Sequence, residues 1–140
     1  SVSALDVSVQ AQVLNLMMNL QAKYNLTFVF ISHDLSVVEY VTSKMVVIYL
    51  GRVVEQGKTG EIFQNPMHPY TQLLLEAIPS ADPLKKRCRK KRKVPVGTVY
   101  RNGCPFIDRC YQAQTNCREQ IPLLLGSSQC HSVACHVVNS

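Results

Sequence analysis

Leu26-Thr27-Phe28-Val29-Phe30-Ile31-Ser32-His33-Asp34 is the stretch on which the reading of this chain turns. Its first six residues form a nearly continuous apolar run with Thr27, Val29 and two phenylalanines, the composition of a strand covered on both faces. Ser32, His33 and Asp34 then read as a strand-to-helix turn, and Leu35, Val38 and Val41 follow at helical spacing. Upstream, Val13, Leu16, Met17 and Leu20 share one face of an amphipathic helix that Asp6 or Ser8 can cap. Downstream, Met45–Tyr49 and Arg52–Glu55 read as strands joined by a turn at Leu50 and Gly51. Helix, strand, helix, strand, strand is the order of an α/β fold in which a helix crosses between neighbouring strands and a hairpin closes the sheet edge.

Beyond Gly57 the texture changes, because Pro66, Pro69, Pro79 and Pro83 punctuate short segments. Pro69 fits the first turn of a helix whose Tyr70, Leu73, Leu74, Ala77 and Ile78 share a face, and Pro79 ends it. Lys85 to Lys93 then carries 8 basic residues in 9 positions, more than the whole net charge of +6. Such a run reads first as a solvated, self-repelling linker and second as a contact for anionic lipid headgroups. With no aromatic stacking platform beside it, nucleic acid is the weakest partner class. After this run, Val94–Ser140 holds five of the six cysteines and little periodicity, so it is expected to be irregular and short of an apolar core of its own. No apolar stretch approaches the length of a membrane span, and no basic leader opens the chain, which is most simply cytosolic. In a reducing compartment, clustered cysteines favour metal or cluster ligation over disulfides.

His33 is the first candidate for chemistry. It follows the apolar run at the carboxyl edge of the expected sheet, where open α/β folds place ligand-binding groups. A neutral imidazole accepts on one nitrogen and donates from the other, which suits the positioning of a phosphate or an attacking water. The plainer reading is a turn histidine in a satisfied hydrogen-bond network. The cysteine spacings, five and six residues between Cys104, Cys110 and Cys117, lack the compact pair usual at zinc sites. By spacing alone, reduced cysteines, zinc and an iron–sulfur cluster all stay open.

Several motifs carry a resemblance. Ser3-Ala4-Leu5-Asp6 with Val7-Ser8-Val9-Gln10-Ala11-Gln12 resembles the D-loop and following helix of ABC ATPases, particularly their oligopeptide and dipeptide branch. Ile31-Ser32-His33-Asp34-Leu35 resembles the switch-histidine loop of that family, and Tyr49 to Gly57 its next hairpin. Asn65-Pro66-Met67-His68-Pro69-Tyr70-Thr71 with Ala77-Ile78-Pro79 resembles the extension of peptide-type members. The resemblance implies the C-terminal part of an ABC-type (P-loop) nucleotide-binding domain followed by a small, irregular cysteine-rich regulatory domain. Its divisions would be residues 1–60 for the ATPase core, 61–84 for the helical extension, 85–93 for the basic linker and 94–140 for the cysteine-rich part.

On that resemblance His33 contacts the γ-phosphate of ATP and orients water, while Ser3, Ala4, Leu5 and Asp6 lie where two ATPase subunits meet. No G-x-x-x-x-G-K-[ST] occurs, and the family's signature and Walker B segments would precede residue 1, so these 140 residues alone are expected to be inactive. Gly103-Cys104-Pro105-Phe106, Arg109-Cys110, Cys117 and His131-Ser132-Val133-Ala134-Cys135 resemble the peptide-importer tail in which four cysteines hold a [4Fe-4S] cluster. The implied ligands are Cys104, Cys110, Cys117 and Cys135, with Zn²⁺ as the alternative and Cys88 and Cys130 spare. The implied cofactors of the complete subunit are ATP and Mg²⁺. Implied partners are a second ATPase subunit, transmembrane permease subunits and, indirectly, an extracytoplasmic solute-binding protein, at the cytoplasmic face of the membrane. The implied function is to power import of peptides, or of related solutes such as nickel complexes or glutathione. The competing class is a free-standing, non-catalytic iron–sulfur or zinc module.

Overall fold

The first helix, α1 (Val7–Tyr24), has no glycine or proline to interrupt it and ends in a left-handed cap. Asn25 takes φ 51°, and the Leu26 N–H returns to the Gln21 carbonyl at 3.1 Å, the six-to-one bond of a Schellman motif. The computed structural model describes residues 7–78, 102–128 and 131–139, in two compact units divided between Thr42 and Ser43. In the first unit the apolar stripe of α1 is only partly covered: Val13 and Met17 are half-buried and Leu16 and Leu20 exposed, whereas Leu14, which the expected stripe omits, is buried.

The expectation for residues 26–31 is corrected. They form no strand, with Val29 89% and Ile31 92% exposed. Sequence composition gives this run the side chains of a buried strand, but a strand forms only against a hydrogen-bonding neighbour, and among the described residues none pairs with it. The helix expected after it does form, as α2 (Leu35–Val41). No crossover between parallel strands follows, because the first of the two strands is missing.

The second unit begins with the expected hairpin, β1 (Lys44–Tyr49) and β2 (Arg52–Lys58), paired antiparallel. Leu50 (φ 46°) and Gly51 (φ 76°) form its two-residue turn, both left-handed as a type I′ turn demands. Along β1 burial alternates, with Met45 and Val47 inside and Val46 and Ile48 outside. The alternation breaks in β2. Val47 faces Glu55 and Ile48 faces Val53, so Val54 is the extra residue of a bulge, and Val54 and Glu55 are both buried in succession. β2 leads directly into α3 (Thr59–Gln64), whose Ile62 is fully buried. A turn then leads to α4 (Pro69–Glu76), with Pro69 in its first turn as read from sequence.

The tail is less irregular than expected. After a 3-10 turn at Ile107–Arg109 and α5 (Asn116–Glu119), it adds β3 (Leu125–Ser128) and β4 (His131–Val133). β4 pairs with β2, so the sheet runs β1-β2-β4-β3 with every pair antiparallel. A three-residue strand is too short for its period to stand out in sequence. The hairpin and the cysteine-rich segment thus share one sheet and one compact unit.

Candidate functional site

His33 sits in the turn before α2, and its imidazole is exposed. Its neighbours hold that turn in place. The Asp34 N–H donates to Ser32 Oγ at 3.0 Å, while Asp34 Oδ1 accepts the Ser36 and Val37 N–H groups at 3.0 and 3.4 Å, capping the helix. The local backbone is therefore satisfied by Ser32 and Asp34, and the ring between them is left facing solvent. Ser3, Ala4, Leu5 and Asp6 lie outside the described residues, as do the basic run, Cys88 and Cys130.

The four named cysteines are in the second unit, and none is in a disulfide. Cys104, Cys117 and Cys135 are buried and Cys110 half-buried. The Cys104 N–H donates to the Cys117 carbonyl at 2.8 Å, drawing the two loops together beside Gly103. Only glycine fits there: a Cβ would stand 2.6 Å from the Arg118 oxygen and 2.7 Å from that of Cys117. Burial pushes the Cys104 thiol up to about 11, opposed by a backbone hydrogen bond at Phe106 and reinforced by the nearby Cys117, Cys110 and Cys135. These soft donors have the right chemistry for iron–sulfur or zinc. Their arrangement is not closed around an ion, since no group of three or more His, Cys, Asp or Glu among the described residues is placed to hold one.

Phe106, only 1% exposed, pins this segment to the hairpin and α4. Its ring lies 5.2 Å from that of Tyr49, 5.5 Å from Tyr70 and 5.7 Å from His68, the first and last edge-on. Tyr111 adds a polar tie, its hydroxyl donating to Gln72 Oε1 at 2.8 Å.

Under the aromatic cluster lies a polar one that sequence reasoning missed. Glu55 is 0% exposed, yet both of its carboxyl oxygens are engaged. Oε1 accepts from the Met67 N–H at 2.8 Å and from His131 Nε2 at 2.7 Å, and Oε2 accepts from the His68 N–H at 3.0 Å. Three hydrogen bonds meet on its two oxygens, so the buried carboxyl group is left with no unmet oxygen. His68 does the opposite job: its Nδ1 accepts the Tyr70 N–H at 3.0 Å and caps α4. Burial lowers its pKa to about 4, partly offset by Glu55, so the ring stays neutral as this acceptor role requires. The sequence shows Glu55 only as a charged residue late in a strand, and the bulge that buries it has no sequence mark.

Comparison with known proteins places these features. A family model described as the oligopeptide/dipeptide transporter, C-terminal region, matches residues 54–117. The dipeptide transport ATP-binding protein DppF of Haemophilus influenzae is 50% identical over 136 residues, covering 96% of this chain and 42% of that protein. The oligopeptide transport ATP-binding protein AppF of Bacillus subtilis is 45% identical, covering 97% and 43%, and OppF of Salmonella typhimurium is 43% identical, covering 96% and 41%. This chain belongs with the oligopeptide and dipeptide transport ATP-binding proteins.

It spans about two-fifths of the length of those relatives. The transporter-family match begins at Val54 and takes in Glu55, His68, Phe106, Cys104, Cys110 and Cys117. His33 lies before it, and His131 and Cys135 lie after it, though all three fall within the chain that the ATP-binding relatives align to nearly throughout. No described helix is long and apolar enough to cross a membrane.

Proposed function

We propose that this chain is part of the ATP-hydrolysing subunit that powers a peptide importer, working at the cytoplasmic membrane face with a second ATPase subunit and with permease subunits. The relatives are named as dipeptide and oligopeptide transport ATP-binding proteins, and the observation in this molecule that supports the reading best is the exposed imidazole of His33 in a turn held on both sides. ATP with Mg²⁺ supplies the phosphoanhydride and the charge neutralisation. His33 supplies orientation: one ring nitrogen faces the γ-phosphate and holds the attacking water in line, an effect felt mainly in the transition state. Ser3 to Asp6 are assigned to the contact between the two ATPase subunits. Related small solutes, such as nickel complexes or glutathione, are the alternative cargo.

In the complete subunit, His33→Ala should leave nucleotide binding near the parent value and lower turnover by roughly 100-fold, the scale of lost orientation and electrostatic help. Equilibrium binding and steady-state hydrolysis check both halves. Unchanged turnover refutes the role of His33.

Cys104, Cys110, Cys117 and Cys135 are assigned to a thiolate-bound group, a [4Fe-4S] cluster with zinc as the alternative. Support comes from the soft-donor chemistry of the four thiols and from the nearness of Cys117, Cys110 and Cys135 to Cys104. Binding requires these thiols to close in and to lose protons, Cys104 most of all. Anaerobically purified protein should then carry iron and absorb broadly in the visible. Cys117→Ser should abolish that absorption, whereas Cys88→Ser should keep it. Iron that survives Cys117→Ser, or stoichiometric zinc in a colourless protein, removes the cluster assignment.

A further inference from the structure

The strand that carries the chain towards Cys135 is short, and besides its ladder bonds Asn139 Nδ2 donates to its Val133 carbonyl at 2.9 Å. β4 contributes three residues, whose partners on β2 are Glu55, Gln56 and Gly57, and its outer neighbour β3 is an edge strand with Leu125 exposed. Past its end, the Ala134 N–H donates to the Val54 carbonyl at 2.8 Å, and Cys135 comes next. Ala134 forms part of the wall of a cleft that also includes Val54, Cys104, Pro105 and Pro122. Displacing β4 would therefore carry away one wall of the Cys104 cleft and the Cys135 thiol together.

Among the described residues a buried side-chain contact crosses this joint. His131, at the start of β4, reaches Glu55 on β2 at 2.7 Å, and both side chains are withdrawn from water. The same carboxyl group holds the backbone at Met67 and His68, ahead of α4. Glu55 thus ties the last strand to the part of the unit that does not need to move when that strand lifts.

We propose that the Glu55–His131 pair is a latch on a strap formed by β3 and β4, and that release of this strap governs access to the Cys104 and Cys135 thiols. Breaking a buried hydrogen bond leaves its partner unsatisfied, and here the bond closes a segment with three ladder partners on β2. Local opening, instead of global unfolding, is then the cheapest route by which a metal ion, a reductant or an alkylating agent reaches these sulfurs. The latch acts on the thiols whether or not they hold a metal group, and independently of His33.

The test is alkylation of the reduced, chelator-treated 140-residue chain with iodoacetamide, each cysteine being followed by peptide mass spectrometry. His131→Ala removes the Glu55 partner and should speed labelling of Cys135 and Cys104 by about tenfold, the ratio expected when one buried hydrogen bond is lost from the closed state. His131→Gln places an amide nitrogen where Nε2 stands and should return most of the protection. Ile62→Ala empties the core under α3 but leaves the latch intact, so it should not favour Cys135 over Cys110. Unchanged labelling of Cys135 in a folded His131→Ala chain overturns the latch. So does equal acceleration of Cys104, Cys110 and Cys135 in both the His131 and Ile62 variants, which would mark global unfolding. If His131→Ala does not fold, His131→Leu decides: it fills the space with no hydrogen-bonding group, and no acceleration of Cys135 there is equally fatal.

Discussion

His68 is a residue whose environment inverts its usual behaviour. An ordinary histidine titrates near 6.5, but this one is buried against Phe106 and its pKa falls to about 4. Between those two values the unfolded chain takes up a proton that the folded chain refuses. Stability from this group is therefore intact above about pH 6.5 and is lost as pH drops towards 4, by roughly 3 kcal/mol in all. Denaturant melts at pH 7 and pH 4.5 should show a loss in the parent that is clearly smaller in His68→Asn. Asparagine can still accept the Tyr70 N–H as a cap but has nothing to titrate. An identical pH slope in the two proteins would mean that other groups carry the acid sensitivity. Glu55 is invisible to this kind of reading in the sequence, since a glutamate in a strand pattern is ordinarily assigned to the solvent face. A bulge between Val47 and Ile48 turns it inward, and three donors brought from 12 to 76 residues away make that burial tolerable.

At the level of elements, those with a local cause were legible. α1 shows its period, α2 has its Asp34 cap, α4 has its first-turn proline, and the β1–β2 hairpin has Gly51 in its turn. The hairpin also contains a correctable flaw. Leu50 sits at φ 46°, a left-handed conformation that costs a non-glycine residue roughly 1–2 kcal/mol, and its side chain is exposed. Leu50→Asn would place the preferred Asn-Gly pair in a type I′ turn and should stabilise the second unit by about 1 kcal/mol. Thermal melts should show a rise of several degrees. A fall would imply that Leu50 packs on something beyond its own turn. The unpaired run at 26–31 marks the other side of the same rule, because a strand has no local cause comparable to a cap or a turn.

On the scale of the whole molecule, the buried anchors Val47, Val54, Ile62, Leu75, Phe106 and Val133 all lie beyond Ser43. A chain beginning at Ser43 should accordingly fold by itself, with a cooperative melt close to that of the second unit in the full 140 residues. Loss of the cooperative transition would show that the first 42 residues are needed for it. What the sequence by itself determined is the set of features written in neighbouring residues: helix periods and caps, the hairpin turn, the motifs of a peptide-transport ATP-binding protein, and His33 in its turn. Only tertiary structure decided that the cysteine-rich tail joins the hairpin's sheet, that Phe106 enters the Tyr49–Tyr70–His68 cluster, and that Glu55 meets His131. The physical reason is range. Caps, turns and periods are fixed by interactions within a few residues, whereas strand partners and buried polar pairs depend on which distant segment reaches the same place, and 76 residues separate Glu55 from His131.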